Sequence, residues 1–417
     1  MLKFYNAWIL SVLALFYFGP IDWPGADRFA PAMIVLSCLL FFNIGAAVGE
    51  RCPALPARRF DALVDRRRAW GIGWLFLVLT AIHLYSITGR FILDPTAYSI
   101  DFGDVYSSYL LRLTERQPGG VETLVTFAKA VVWPVVFLMI VASFRHNTKL
   151  LMFLAFPLLA SSLMRGTDKE TADLAIFFLI LSFYHRVLGR RALLALGAMV
   201  VILVLFAARK MGRYEGIDFS CLPGSPEACF DFDNALSVYI SPALEFLRIT
   251  LTNYLTQGYE GLARAVELPI HFGWFIGHLP PLQSALCSTV GIACDLSTYL
   301  DRLPDHGWNT SNKWASVYTV LATDFHWLLM PFYFLVWGIV FAISEKSWLQ
   351  NRDHVSLGCL LLVAMLIIYS SANMQLAISL DWIAVYLLLM GWQIVRILRN
   401  RPETHTAQMG TPCPLQP

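Results

Sequence analysis

Arginine is the side chain best matched to phosphate oxygens, because its planar guanidinium donates two parallel hydrogen bonds. Four arginines stand where apolar runs of this chain end or are interrupted: Arg165, Arg209, Arg213 and Arg248, with Lys210 beside the second. Their chemical reading is a clamp for a phosphate- or pyrophosphate-bearing substrate. Each also has a plainer reading. Arg165 can be an interface anchor. Arg209, Lys210 and Arg213 can be held by lipid phosphates. Arg248 lies one helical turn after Glu245, the spacing of an intrahelical ion pair. Lys129 sits inside an apolar segment, where a charge is costly and faces a cavity, a partner or, by snorkelling, the surface. His271, His278 and His306 are isolated histidines, a pattern more often structural than catalytic. Asp324, followed by Phe325 and His326, brings ionisable groups to the start of another apolar run, with Asn309 and Asn312 ahead of it. Asp381 stands beside Trp382 early in the last apolar run, as a cation's partner or an interface residue.

The elements that must position these groups are membrane helices. Of the 417 residues, 57% are hydrophobic and only 14% charged, against roughly 25% charged in soluble domains. That balance excludes a soluble enzyme, a disordered chain and a fibrous repeat. A net charge of +2 gives no support for a nucleic-acid partner. The expected fold is all-α and polytopic. Segments long enough to span a bilayer, about 20 residues each, fall near 4–19, 30–49, 70–88, 121–143, 149–165, 172–188, 192–208, 323–343, 354–372 and 376–395. The first reads as a retained helix, because no small-residue cleavage site follows it.

With roughly ten spans, Arg51, Arg58, Arg59, Arg66, Arg67, Arg68, Arg190, Arg191, Arg396, Arg399 and Arg401 fall on one side. The positive-inside tendency makes that side, and both termini, cytoplasmic. The expected organisation is a first helical block over 1–208, a large outer loop over 209–322, a second helical block over 323–395 and a tail over 396–417. The loop holds two half-apolar stretches, near 236–256 and 266–286, interrupted by Pro242, Glu245, Arg248, Pro269, Pro280 and Pro281. Short amphipathic or re-entrant helices fit them better than spans. Cys221, Cys229, Cys287 and Cys294 also lie in this loop. Two disulfides are expected in an oxidising compartment, with three pairings open, of which the local one closes the smallest loops. No metal is expected, since ligand spacing is lacking, and no nucleotide-binding loop or hydrolase motif appears.

Three runs resemble the O-antigen polymerases, polytopic proteins that join oligosaccharide repeat units. They are Ser161-Ser162-Leu163-Met164-Arg165-Gly166; Tyr254-Leu255-Thr256-Gln257-Gly258-Tyr259-Glu260-Gly261-Leu262; and the stretch from Asn309 to Asp324-Phe325. The family often shows Asp-Phe-Gly at the last place; here His326 replaces the glycine. The resemblance covers most of the chain as topology and only short runs as sequence.

This resemblance implies an enzyme of the bacterial inner membrane acting at its periplasmic face. Its substrate would be an oligosaccharide linked to undecaprenyl pyrophosphate, which also serves as leaving group, with no cofactor. Arg165, Arg209, Arg213 and Arg248 would hold the pyrophosphate, helped by Lys210. His278, His306 and Asp324 become candidate bases for the acceptor hydroxyl. Asn309, Asn312, Tyr254 and Tyr259 would bind sugar, as would Trp274, Tyr299 and Trp308 by stacking. Expected partners are membrane lipid, a chain-length regulator and a flippase. Three rivals remain open: an O-antigen ligase, a lipid-linked sugar flippase or other transporter, and a non-enzymatic component of a glycan-export complex. A transporter would place charges across several spans and show inverted repeats; here charges gather at one rim and no repeat is visible.

Overall fold

Long uninterrupted apolar runs can satisfy their backbone groups in a bilayer only as helices, and the chain follows that rule. The computed structural model describes residues 1–24, 29–60, 67–98, 119–167, 169–186, 221–222, 225–229, 242–291, 296–310 and 313–400. In chain order the helices are α1 (Leu2–Phe18), α2 (Phe29–Arg51), α3 (Arg67–Thr88), α4 (Gly120–His146), α5 (Thr148–Met164) and α6 (Lys169–Tyr184). After a two-stranded hairpin, β1 (Cys221–Leu222) and β2 (Ser225–Cys229), come α7 (Pro242–Val266), α8 (Pro280–Val290) and α9 (Tyr299–Arg302). The last are α10 (Val317–Asn351), α11 (His354–Ile368) and α12 (Leu380–Arg399). Among the described residues five helices, α2, α3, α4, α10 and α12, are long and apolar enough to cross a membrane; α1, α5 and α11 are shorter apolar helices. The architecture is that of a mostly helical, multi-pass membrane protein. The segment 192–208 expected to span lies outside the described residues.

Several boundaries differ from the sequence expectation. Pro242 does not interrupt its helix. It opens α7, at a position where a proline removes no helical hydrogen bond, and Glu245 and Arg248 neutralise one another on the same helix, so 25 residues run unbroken. Helix α10 starts at Val317, capped by Ser316, before the expected 323. Helix α11 stops at Ile368, and α12 begins only at Leu380.

Packing explains which helices lie centrally. The α11 sequence is apolar on every side, and a helix hydrophobic all round must be buried. Every residue from His354 to Ile367 is. Helices α2 and α10 meet through glycines. A Cβ added to Gly49 would stand 2.7 Å from the Ile339 carbonyl oxygen and 2.9 Å from Ala342 Cβ, so the small residue permits the backbone contact. Asn6 of α1 and Asn43 of α2 exchange amide hydrogen bonds at 2.8 and 3.0 Å.

The bundle has two unlike ends. At one, Asp353 caps α11 and accepts from Arg396 at 2.8 Å and from the Arg58 backbone at 2.7 Å. Lys346 reaches the Cys52 carbonyl, Asn351 the Leu55 carbonyl, and Tyr184 the Glu345 carboxylate. This end gathers the basic residues near residue 50, the end of α6 and the ends of α10 and α12. At the other end α7 lies over the bundle. Trp23 donates to Thr256 at 3.1 Å, and Gly258 sits against the Ser371 carbonyl. Ser316 N donates to the Gly258 carbonyl, and Val317 N to that of Ser370. A Cys221–Cys229 disulfide closes the β-hairpin, whose Glu227 pairs with Lys313 at 3.3 Å.

Candidate functional site

The second end carries three polar constellations. The first forms where α10 breaks. His326 takes φ 52° and ψ 155° inside an otherwise helical run, a combination that glycine alone adopts freely. At the break the His326 Nδ1 accepts from the Leu328 N–H at 3.1 Å. The histidine thus keeps a glycine-like backbone and caps the resumed helix itself.

Two residues before the break, Asp324 is buried, with a side chain wholly shielded from solvent. Its Oδ2 accepts from the His278 backbone N–H at 2.7 Å and contacts the same residue's Nδ1. An ionised carboxylate only accepts, so with Asp324 ionised the Nδ1 contact is a donation from the imidazole, and Nε2 is the ring nitrogen left for another partner. The Nε2 atom has no hydrogen-bond partner among the described residues. The other carboxylate oxygen, Oδ1, is buried and unpaired among the described residues. It faces the Gly273–Gly277 turn, where a Cβ on Gly277 would lie 3.3 Å from it. The turn is further tied down by the Gly273 N–H donating to the Thr323 carbonyl at 2.9 Å.

The second constellation occupies the ends of α3, α4, α5, α6 and α12. Arg165, just past α5, pairs with Glu170 in the first turn of α6. Lys129 of α4 pairs with Asp381 of α12 at 2.9 Å, each side chain 16% exposed. Asp173, buried on α6, accepts from Tyr369 at 3.0 Å and Gln375 at 2.7 Å. Lys169 lies in the field of Glu170, Asp173, Asp381 and Arg165 and forms no direct ion pair among the described residues. His83 of α3 lies within reach of the same charges.

The third follows α7. Arg248 holds the buried Glu245 through two hydrogen bonds, at 2.7 and 2.6 Å. Arg264 pairs with the buried Glu260 at 2.9 Å and stacks on Trp308, 5.4 Å from the ring centre. Lys313 stacks on the same ring at 4.6 Å. Tyr254 packs edge-on to Trp314 at 4.6 Å. Tyr259, on α7 itself, is fully buried, and burial pushes its phenol up, so it stays neutral.

The structure therefore joins two of the three candidate bases, His278 and Asp324, and leaves the third apart. His306 is exposed, and its backbone carbonyl accepts from Arg264. Asn309 is exposed; its carbonyl accepts from the Lys313 N–H at 2.9 Å. Tyr259 faces Phe16 and Tyr318 inside the protein, so its ring is not a stacking surface for a sugar, whereas Tyr254 is half-buried. Arg165 and Arg248 both sit at this end, each with a carboxylate. Arg209, Lys210, Arg213, Cys294 and Asn312 lie outside the described residues. Cys287 is disulfide-bonded. Lys169, Asp173 and Gln375 were missed by sequence reasoning. The available signal was charge inside an apolar run, which applied to Asp173 as much as to Lys129. Among the described residues no group of three or more His, Cys, Asp or Glu is arranged to hold a metal ion.

No family model, no curated protein and no solved structure matches the chain.

Proposed function

We propose that this protein is a glycan polymerase of the bacterial inner membrane, joining undecaprenyl-pyrophosphate-linked repeat units at the periplasmic face. The observation that carries the reading is the His278–Asp324 pair, a carboxylate-oriented imidazole at the membrane end where arginines and a lysine also collect. In this reading the His278 Nε2 takes the proton of an acceptor sugar hydroxyl as its oxygen attacks the anomeric carbon of the donor. The bond from that carbon to the pyrophosphate oxygen breaks, and undecaprenyl pyrophosphate leaves. Asp324 is a positioning residue that fixes the tautomer and stabilises the imidazolium formed. The developing negative charge falls to cations of this end, of which Arg165, Lys169 and Arg248 are described. Arg209, Lys210 and Arg213 belong to the same proposal by sequence. The half-buried Tyr254 and the exposed Asn309 offer stacking and hydrogen bonds to sugar, whereas Trp308 and Tyr299 are fully buried and are not open to a sugar ring.

The test is glycan length on a gel from a strain lacking the gene and complemented with wild type, His278→Ala, Asp324→Asn or Arg165→Ala, with membrane levels matched. A gene deletion is expected to leave single repeats on the lipid core. Wild type should restore a ladder, His278→Ala should not, and Asp324→Asn should give a faint one. A deletion with no repeats attached at all would move the assignment to a ligase or a flippase. A full ladder from His278→Ala would remove the histidine from the reaction.

A further inference from the structure

The turn that covers Asp324 exposes an unusual surface. Phe272, Trp274 and Phe275 are 45%, 72% and 61% exposed, and their rings touch one another, with centroids 5.7 Å and 5.2 Å from Phe272. Phe275 reaches Phe325 on α10 at 6.1 Å, and Phe325 in turn contacts His278 at 5.5 Å. Past Phe325 and the break, the membrane-crossing helix α10 exposes Leu328, Leu329 and Phe332. Charge is lacking on the same stretch: no Asp, Glu, Lys or Arg occurs from Leu268 to Cys294. Helix α8, which follows the tip and rests against α12, has no fully buried residue and keeps Ser284, Ser288, Thr289 and Val290 exposed. An uncharged segment with an aromatic tip, touching a membrane-crossing helix and leading into a superficial one, has the composition of the bilayer interface.

We infer that Leu268–Val290 is a bilayer-seated unit, with Phe272, Trp274 and Phe275 inserted into the interfacial layer of the membrane lipid, so that His278 and Asp324 are held at headgroup depth. Water is the wrong solvent for three touching, largely exposed rings, and no charged side chain in the segment opposes insertion. The two backbone ties, Gly273 to Thr323 and His278 to Asp324, fasten this unit to α10. The pair is thereby fixed at the level where the pyrophosphate of a lipid-linked substrate travels, a consequence that rests on the polymerase reading.

Depth can be measured on the full-length protein in nanodiscs of phosphatidylethanolamine and phosphatidylglycerol. Spin labels are placed by Trp274→Cys or Phe275→Cys in a Cys52→Ser, Cys413→Ser background. Two reference sites are Asp305→Cys, on an exposed turn near α9, and Val131→Cys, 74% exposed on α4. The ratio of collision with oxygen to collision with a water-soluble nickel complex is expected to be several-fold higher at 274 and 275 than at 305, approaching that at 131. Ratios at 274 and 275 equal to that at 305 would overturn the inference. Glycan ladders from Trp274→Ser and Phe275→Ser, scored separately, are expected to be shortened or lost. Membrane depth with unchanged ladders would leave the seated unit standing and remove its link to the polymerase reading.

Discussion

His326 shows how a side chain can hold a backbone that its own Cβ disfavours. The left-handed geometry costs on the order of 1–3 kcal/mol, and the imidazole recovers part of that by capping Leu328, where a capping bond is worth about 1 kcal/mol. His326→Gly is therefore expected to fold with thermal stability in detergent at or above wild type. His326→Val, strained and without a cap, should melt several degrees lower. Equal melting temperatures for the two variants would show that the break is not strained. The Lys129–Asp381 pair gives a second prediction. Removing one partner leaves a charge largely surrounded by protein, a loss of roughly 3 kcal/mol. Asp381→Ala and Lys129→Met should each destabilise more than the two combined, and a double-mutant cycle in detergent checks that sign. The ion pairs were partly legible. Charges inside apolar runs flagged Lys129 and Asp381, and the Glu245–Arg248 spacing carried its pair openly. The meeting of His278 with Asp324 across 46 residues was not legible, because nothing local in either segment records a partner so distant.

At the scale of elements, hydrophobic run length was informative and helix ends were not. Apolar stretches near 30–49, 70–88 and 121–143 correspond to α2, α3 and α4 within a few residues, since bilayer thickness sets their length. The break in α10 escaped notice because it falls on a histidine, while Pro331 in the same helix produces no non-helical residue. Likewise the prolines at 242 and 280 read as interruptions yet serve as helix starts, a difference that depends on what precedes them. The β-hairpin yields a prediction of its own. Its disulfide closes a loop of sequence separation 8, for which chain entropy gives about 2–3 kcal/mol. Cys221→Ser with Cys229→Ser should lower the melting temperature and loosen the Glu227–Lys313 contact. A double variant as stable as wild type, under oxidising conditions, would mean that the loop is held by packing alone.

For the whole molecule, the contrast between the ends predicts an orientation. Arg51, Arg58, Arg59, Lys346, Arg352, Arg396 and Arg399 crowd the end away from α7. By the positive-inside tendency that end is expected on the cytoplasmic side. In intact cells Cys52 should resist a membrane-impermeant thiol reagent, while Glu267→Cys, just past α7, should react. Reversed labelling would invert the topology and with it the periplasmic placement proposed for the site. Net charge alone hid this polarity, because the 31 basic and 29 acidic residues nearly cancel in the sum wherever they stand.

The connection from Tyr369 to Ser379 is short, yet it touches almost everything of interest. Tyr369 and Gln375 bind Asp173, Ser370 receives the first turn of α10, Ser371 lies under Gly258 of α7, and Ser379 holds Asp381. It is a keystone rather than a linker. Most surface connections accept insertions because they answer to no neighbour, but here one added residue would shift four unrelated elements together. A survey of tolerated insertions along the chain should therefore find this segment as intolerant as the helices it joins.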